Sequence, residues 1–288
     1  MKDFQIMTAL ITPFQTNGVI DYPALDKLIQ QQIDQGVDGL IVCGTTAETA
    51  CLSEHERFDV LRWIQYRTKG KVPIWFGCGT NNTQETLRLV SKASYYDIAG
   101  VLLVTPYYNK PSQEGLYMHF KTIANQTNIP IMLYQVYGRC GVQFEEETII
   151  RLFEECDQIV ALKHASDDYA LIERLHRRFP NKQLYSGEDK TFYQGIGKGL
   201  SGLISVMSNA FLTQIKEDLI DLDEQKQSDL IRRAEISFLE CSPSAIKYIL
   251  HQKGICENAL RLPLVPISKQ AEHQIDAFLQ TDKKCQNL

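Results

Sequence analysis

The sequence predicts an α/β fold, a (β/α)8 TIM barrel with a C-terminal helical extension. Eight short apolar runs lack period-two alternation, which is typical of parallel strands covered on both faces. Stretches with helical periodicity separate these runs, and eight consecutive strand–helix units is the count of this barrel. Only helical patterns follow the eighth run. We therefore expect a barrel over residues 1–208 and a helical layer packed on it over residues 209–288.

The elements follow one another along the chain with matching start and stop signals. The predicted strands are Ile6–Leu10, Gly39–Val42, Ile74–Gly77, Gly100–Val104, Ile131–Tyr134, Ile159–Lys163, Gln183–Ser186 and Gly202–Ser205. The predicted barrel helices are Tyr22–Gln35, Glu54–Thr68, Thr83–Tyr96, Gln113–Gln126, Glu145–Glu155, Tyr169–Phe179 and Thr191–Lys198. The predicted C-terminal helices are Phe211–Leu222, Glu224–Leu239, Ser244–Gln252 and Ser268–Leu279. Ser53 and Glu56 form a capping box, while Gly36, Gly70 and Pro180 end helices.

The competing fold is a doubly wound open sheet, which usually has fewer strands and often a glycine-rich phosphate loop after the first strand. Here the first strand runs into Thr12-Pro13-Phe14, and neither a G-x-G-x-x-G nor a G-x-x-x-x-G-K-[ST] motif follows it. The glycine-rich segment from Gly195 to Gly199 is interpreted as the turn into the last strand. These observations favour the barrel.

Composition excludes several classes of function. The 288 residues are 44% hydrophobic and 23% charged, as in a globular chain with a sizeable core. The net charge of −5 and pI of about 5.7 give no support to nucleic-acid binding. No apolar run approaches a membrane span. Since the first residues also lack a signal peptide, we expect a cytoplasmic protein without a membrane partner.

The eight cysteines are scattered, with no C-x-x-C pair and no histidine at metal-ligand spacing. We interpret them as reduced thiols, several of them buried, and we expect no metal site.

Reactive residues of such a barrel stand at the carboxyl ends of its strands. Lys163 ends an apolar strand, where desolvation favours the neutral amine that forms Schiff bases. A strand-end lysine that reaches solvent or a carboxylate is the alternative. Tyr134 ends the preceding strand and could move protons or be structural. Thr45, Thr46 and Arg139 could bind carboxylates, although turn chemistry and surface contacts also account for them.

Together these residues resemble a known family. The chain is similar, from Ile6 to about Ile267, to the dihydrodipicolinate synthase family of pyruvate-dependent class I aldolases, whose superfamily also holds N-acetylneuraminate lyase. The remaining motifs that carry the resemblance are Thr105-Pro106-Tyr107-Tyr108-Asn109-Lys110-Pro111, Ser112-Gln113-Glu114-Gly115, Gly202-Leu203-Ile204-Ser205-Val206 and Leu260-Arg261-Leu262-Pro263.

The resemblance implies a reaction. Lys163 would form an imine with pyruvate, and the derived enamine would attack the aldehyde of L-aspartate-4-semialdehyde. The product would cyclise to 4-hydroxy-tetrahydrodipicolinate, the entry to diaminopimelate and lysine biosynthesis. Because the protonated imine is the electron sink, the resemblance implies no cofactor.

The resemblance also implies roles for individual residues. Tyr134 would be the acid/base, linked through Thr45 to Tyr108 of a neighbouring subunit. Thr46 would hold the pyruvate carboxylate, and Arg139 would hold the carboxylate of the semialdehyde. Gly187 and Ile204 would line the pocket. A site completed by a neighbour implies a homo-oligomer, in this family usually a dimer of dimers.

Three segments depart from the family pattern. The family's Gly-Thr-Thr-Gly-Glu has Ala47 here, and Lys-Glu-Ala has His164. The segment Tyr-Asn-Val-Pro-x-Arg-Thr-Gly becomes Tyr134 to Gly141 with Gln135, Tyr137 and Cys140, which removes a proline. The chemistry is expected to survive, whereas the altered surroundings of Arg139 bear on acceptor specificity.

Feedback by lysine is a separate expectation. Inhibited members bind the effector near positions that map to Thr49, Ala50, Glu54, Arg57, Asn81, Glu85 and Tyr107. Asn81, Glu85 and Tyr107 agree with such a site. Arg57 places a cation where inhibited members carry His or Glu, and a cation repels the lysine ammonium. We therefore predict weak or absent inhibition.

Two other functions stay open at this point. The first is a sugar-acid lyase, such as N-acetylneuraminate lyase or a 2-keto-3-deoxy acid aldolase, which would use the same lysine and tyrosine. Such lyases lack an arginine in the loop that matches Arg139. A paralogue that binds a keto acid without turnover is the non-enzyme alternative. The retained Lys163 argues against it.

Overall fold

The fold is an eight-stranded parallel barrel, described by a computed structural model over residues 4–282. Each strand pairs with its sequence neighbours, and β8 pairs with β1 to close the sheet. The strands are β1 Gln5–Ala9, β2 Gly39–Val42, β3 Ile74–Gly77, β4 Gly100–Val104, β5 Ile131–Gln135, β6 Ile159–His164, β7 Gln183–Ser186 and β8 Gly202–Ser205. The predicted barrel is confirmed, with strand limits within one residue of those expected from the apolar runs.

Helices connect the strands and continue beyond them. They are α1 Tyr22–Asp34, α2 Glu54–Thr68, α3 Thr83–Ala93, α4 Gln113–Ala124, α5 Tyr137–Cys140, α6 Glu146–Glu155, α7 Tyr169–Arg178, α8 Ser208–Ile220, α9 Glu224–Ser237, α10 Ser244–Gln252 and α11 Lys269–Thr281. The capping box of Ser53 and Glu56 is present at the start of α2. Most helix ends lie one to three residues from the predicted limits, the usual uncertainty of a frayed terminus.

The predicted helix Thr191–Lys198 is wrong. Only one 3₁₀ turn, Phe192–Gly195, forms there. Gly197 and Gly199 adopt φ values of 82° and 95°, in the left-handed region that glycine enters without steric cost. The glycines therefore end the helical turn early and lead the chain into β8.

The C-terminal helices are fixed to the barrel by buried polar contacts. At the start of α8, the Asn209 side chain donates to the Ala9 carbonyl at 2.8 Å and accepts from the Ile11 amide at 3.2 Å. Helices α9 and α10 pack on α8, and α11 packs on α9 and α10. The division of the chain at residue 208 stays a prediction.

Two further features concern the described residues only. The seven cysteines from Cys43 to Cys256 are free thiols, while Cys285 lies outside residues 4–282. Within the same residues, no helix has the length and apolarity that crossing a bilayer requires.

Candidate active site

The pairing of β5 with β6 brings together the two residues on which the sequence prediction depends. Tyr134 and Lys163 are direct partners in the parallel register. Lys163 Nζ lies 4.3 Å from the centre of the Tyr134 ring. Both residues are buried, with 7% of Lys163 and 6% of Tyr134 exposed. The end of the barrel therefore places an amine against a phenol.

The pKa of the Lys163 amine is lowered toward neutral pH. Burial lowers the pKa of Lys163 to about 8, and the positive charge of Arg139 acts in the same direction. The charges of Asp189 and Glu188 oppose this shift. At pH 7 about a tenth of the amine is then neutral, roughly 300 times the fraction at the ordinary lysine pKa of 10.5. Only the neutral amine can attack a carbonyl carbon.

Two acids on the segment after β7, Glu188 and Asp189, oppose the fall of the Lys163 pKa, and the sequence patterns predict no role for them. Asp189 is buried and accepts from the amides of Val206 at 2.8 Å and Met207 at 3.2 Å. Burial raises the pKa of both Asp189 and Glu188, whereas the nearby Lys163 charge lowers it. The sequence does contain one signal for these acids: they directly follow Gly187, the first residue after β7.

Tyr134 is held as a protonated phenol. Burial raises the pKa of Tyr134 to about 12, although the Arg139 charge and a hydrogen bond with the Thr45 side chain lower it. Thr45 belongs to the 3₁₀ turn Thr45–Ala47 that follows β2, and Thr46 is buried in the same turn. The structure thus joins the predicted residues Lys163, Tyr134 and Thr45 in one cluster.

Arg139 lies on a short helix that the sequence patterns do not predict. The segment that lacks the family's proline forms the short helix α5, which ends at Gly141 with a φ of 69°. Arg139 is exposed on this helix. Its charge nevertheless acts on both Lys163 and Tyr134. The guanidinium is therefore near the amine and open to a ligand.

The side chains at two departures from the family pattern contact each other. Gln135 and His164 follow Tyr134 and Lys163 on their strands, so their side chains point to the opposite side of the sheet. The Gln135 amide nitrogen lies 2.5 Å from His164 Nδ1, and Gln135 Oε1 accepts from the Phe144 amide at 3.1 Å. The contact between Gln135 and His164 joins β5 to β6 on the side of the sheet opposite the Lys163 amine.

The two predicted pocket residues lie on β8 and after β7. A Cβ atom at Gly187 would come within 2.9 Å of Lys163 Cε, so the glycine leaves room for the lysine side chain. Ile204 is buried in β8, in register with Met7 of β1.

Tyr108 is not part of the cluster within this chain. It is 89% exposed and has a φ of 73° on the loop after β4. Its ring is therefore free of the buried Lys163–Tyr134 pair.

The predicted effector residues lie around the ends of β2, β3 and β4. Glu54 and Glu85 both form ion pairs with Arg88, and Glu54 also pairs with Lys92. Arg57 donates to the Gly77 carbonyl at 2.9 Å. Thr49, Ala50, Asn81 and Tyr107 are partly or fully exposed. Within this set, Thr49 Oγ1 donates to the Gly44 carbonyl at 2.7 Å, and the Asn81 carbonyl accepts from the Asn109 side chain at 2.9 Å.

Across residues 4–282, no cluster of three or more His, Cys, Asp or Glu residues suits a metal ion.

The fold is a closed (β/α)8 barrel, and a lysine amine is buried at the end of one of its strands. Schiff-base aldolases belong to this class of barrel proteins. The chain belongs to the dihydrodipicolinate synthetase family, whose model matches residues 3–282. This confirms the resemblance stated from the sequence.

Named relatives agree with this membership. A 4-hydroxy-tetrahydrodipicolinate synthase of Azobacteroides pseudotrichonymphae is 40% identical over 280 residues, covering 94% of each chain. A dihydrodipicolinate synthase structure from Bacillus anthracis superposes with a TM-score of 0.93 at 33% identity, covering 97% of this chain and 98% of its own. The chloride-inhibited synthase of Acinetobacter baumannii in complex with pyruvate has a TM-score of 0.90 at 34% identity, covering 96% and 98%.

Proposed function

We propose that this chain condenses pyruvate with L-aspartate-4-semialdehyde to 4-hydroxy-tetrahydrodipicolinate, as a lyase of diaminopimelate and lysine biosynthesis. The observation that carries the proposal is the buried Lys163 amine in contact with the Tyr134 ring. Membership of the dihydrodipicolinate synthetase family supplies the reaction, and the relative bound to pyruvate supplies the first substrate.

The chemistry begins with imine formation. The neutral Lys163 amine adds to the C2 carbonyl of pyruvate, and Tyr134 donates a proton to the hydroxyl that leaves as water. Loss of a methyl proton then gives the enamine, since the protonated imine accepts the electron pair. The enamine carbon attacks the aldehyde carbon of the second substrate. The amino group of that substrate finally attacks the imine carbon, which closes the ring and releases Lys163.

The two substrates each present a carboxylate. Thr46, buried in the turn after β2, holds the pyruvate carboxylate, and Gly187 and Ile204 line the pocket. Arg139 binds the carboxylate of the semialdehyde, because its exposed guanidinium can offer two parallel hydrogen bonds. A sugar-acid lyase would need hydroxyl-binding groups in place of this cation, so Arg139 favours the amino-acid aldehyde.

The site is complete only in an oligomer. Tyr108 extends into a neighbouring subunit and reaches Tyr134 through Thr45, which its exposed position on the loop after β4 permits. A pair of chains is the smallest unit that completes two such sites, and a dimer of dimers is the larger assembly. The seven free thiols of the described residues suit the reducing cytoplasm in which we place this enzyme.

Lysine inhibits this enzyme weakly or not at all. Lysine would bind near Thr49, Ala50, Glu54, Arg57, Asn81, Glu85 and Tyr107. The acids in that set are already paired with Arg88, which leaves them less able to hold an added ammonium. Arg57 contributes a further positive charge.

An acceptor screen tests the proposed function. The purified enzyme is given pyruvate with either L-aspartate-4-semialdehyde or N-acetylmannosamine, and the products are identified by mass. We expect the cyclised seven-carbon product, which has a six-membered ring, from the semialdehyde and no condensation with the sugar. Condensation with the sugar alone would establish the lyase instead, and no product with either acceptor would favour a non-catalytic binder.

A further inference from the structure

A buried ion pair joins the C-terminal helices to the turn after β2. Lys247 of α10 donates to Glu48 Oε1 and, at 2.9 Å, to the Ala259 carbonyl. Both side chains are 0% exposed. The second carboxylate oxygen of Glu48 accepts from the Arg261 amide at 3.0 Å. Every charged atom of this pair therefore has a partner, and removal of either residue would leave the other charge buried alone.

Glu48 adopts a backbone conformation that is unfavourable for a glutamate. Its φ of 56° and ψ of 37° lie in the left-handed region, which is unfavourable for residues other than glycine. Glu48 ends the 3₁₀ turn Thr45–Ala47 and begins the next one, Thr49–Cys51. Its amide closes the first turn on the Thr45 carbonyl at 3.1 Å. Such a conformation persists only where the surroundings fix it.

Arg261 holds the same region from the loop that precedes α11. Its guanidinium donates to the carbonyls of Gly18 and Cys51, each at 2.9 Å, and pairs with Glu56. The guanidinium carbon lies 4.5 Å from the centre of the Phe14 ring, and Lys247 Nζ lies 4.2 Å from that same centre. The Glu48 side of the turn is thus surrounded by the cations of Lys247 and Arg261, the carboxylate of Glu56 and the Phe14 ring.

The front of the turn carries the groups that the proposed function uses. Thr45 is hydrogen-bonded to Tyr134, and Thr46 is buried beside it. A rotation at Glu48 would move both threonines, because Glu48 caps the short turn Thr45–Ala47 and its amide closes that turn on Thr45. Displacements of about 1 Å in such groups can cost about 100-fold in rate.

We infer that the Glu48–Lys247 pair positions the Thr45–Thr46 turn, so that the C-terminal helices set the geometry of the pyruvate site. This inference rests on the proposed function. Neither residue touches the substrate; both act through the threonines. The C-terminal layer accordingly contributes to catalysis and does more than cover the barrel.

The test compares two buried ion pairs of the C-terminal helices. Lys247→Met breaks the pair at the turn. Arg233→Met breaks the pair of Arg233 with Asp218, whose side chains are 2% and 0% exposed, within α9 and α8. It also breaks the pair of Arg233 with Asp282 at 3.0 Å. Each variant is titrated with pyruvate under borohydride, which gives the half-saturating concentration and the maximal trapping rate. Urea unfolding measures the stability of each.

We expect both variants to lose stability and only Lys247→Met to change the pyruvate titration. Its half-saturating concentration should rise and its maximal rate fall, together on the order of 10- to 100-fold. A purely structural role would reduce the active fraction in both variants and leave the half-saturating concentration at the wild-type value. That result for Lys247→Met would overturn the inference.

A milder variant covers the case in which Lys247→Met does not fold. Glu48→Gln keeps an oxygen for Lys247 and removes the carboxylate, so it should fold and raise the half-saturating concentration severalfold. A folded Glu48→Gln with the wild-type titration would also overturn the inference. Absence of trapping in the wild-type enzyme, by contrast, would refute the proposed function itself.

Discussion

Replacement of Lys163 by methionine should abolish imine formation and stabilise the protein. The barrel buries an ammonium that the unfolded chain exposes to water. The fall of the Lys163 pKa from an ordinary 10.5 to about 8 corresponds to about 3 kcal/mol of destabilisation. Methionine has a similar length and no charge, so Lys163→Met removes this cost while it fills the same space.

The gain in stability from Lys163→Met decreases as the pH rises above 8. The unfolded chain keeps the lysine proton up to about pH 10.5, whereas the folded chain releases it near pH 8. Between these values the unfolded state binds more protons, so the stability of the wild-type protein rises with pH. Below pH 8 the cost is fully present. The advantage of Lys163→Met should therefore be greatest at neutral pH and decline as pH approaches 10.5.

The Lys163 pKa of about 8 already includes the attraction of Glu188 and Asp189, which raise it. Imperfect packing of methionine in place of the lysine offsets part of the gain, so we expect Lys163→Met to be more stable by about 1 to 3 kcal/mol at pH 7. Urea unfolding without pyruvate, at pH 7 and pH 10 and at one protein concentration, measures the difference. Lys198→Met, at an exposed lysine, is the matched control and should change little at either pH. A Lys163→Met protein that is less stable than wild type at pH 7 would refute the reasoning.

Three further predictions concern the charges around the amine. Glu188→Gln removes a charge that raises the Lys163 pKa, so the midpoint of imine trapping against pH should move below about 8; an upward shift would contradict this. Arg139→Ala should reduce kcat/KM for the semialdehyde by about 100-fold or more, since a charge-assisted pair contributes about 3 kcal/mol. It should reduce pyruvate trapping only slightly, through the small rise of the Lys163 pKa that the loss of its charge causes. Equal loss of both steps would count against its role. Millimolar lysine should reduce the rate at saturating substrate by less than half, and stronger inhibition would show that Arg57 does not exclude the effector.

The barrel and the core of the site could be predicted because both depend on local sequence. Apolar runs mark buried parallel strands, and residues at the carboxyl ends of neighbouring strands must lie side by side. Lys163 and Tyr134 each end such a run, so their contact follows from the strand order alone. Helical periodicity after β7 predicts a helix to Lys198, but Gly197 and Gly199 adopt positive φ and only the turn Phe192–Gly195 forms.

The rest depends on contacts that no local pattern records. Glu48 and Lys247 are 199 residues apart, and a buried ion pair leaves no periodic signal in the sequence. The short helix that carries Arg139 arises where a proline has been lost, and its geometry follows from the left-handed Gly141 that ends it. The influence of Asp189 on the amine likewise required the closed barrel, because burial determines how strongly the two charges interact.

The central claim is that Lys163 forms a covalent imine with pyruvate. Borohydride reduction in the presence of pyruvate, followed by peptide mass analysis, tests it most directly, with Lys163→Met as the control. The account predicts a reduced pyruvyl adduct on Lys163 in the wild-type enzyme and none in the variant. A folded wild-type sample without an adduct, or with the adduct on another lysine, would contradict the account.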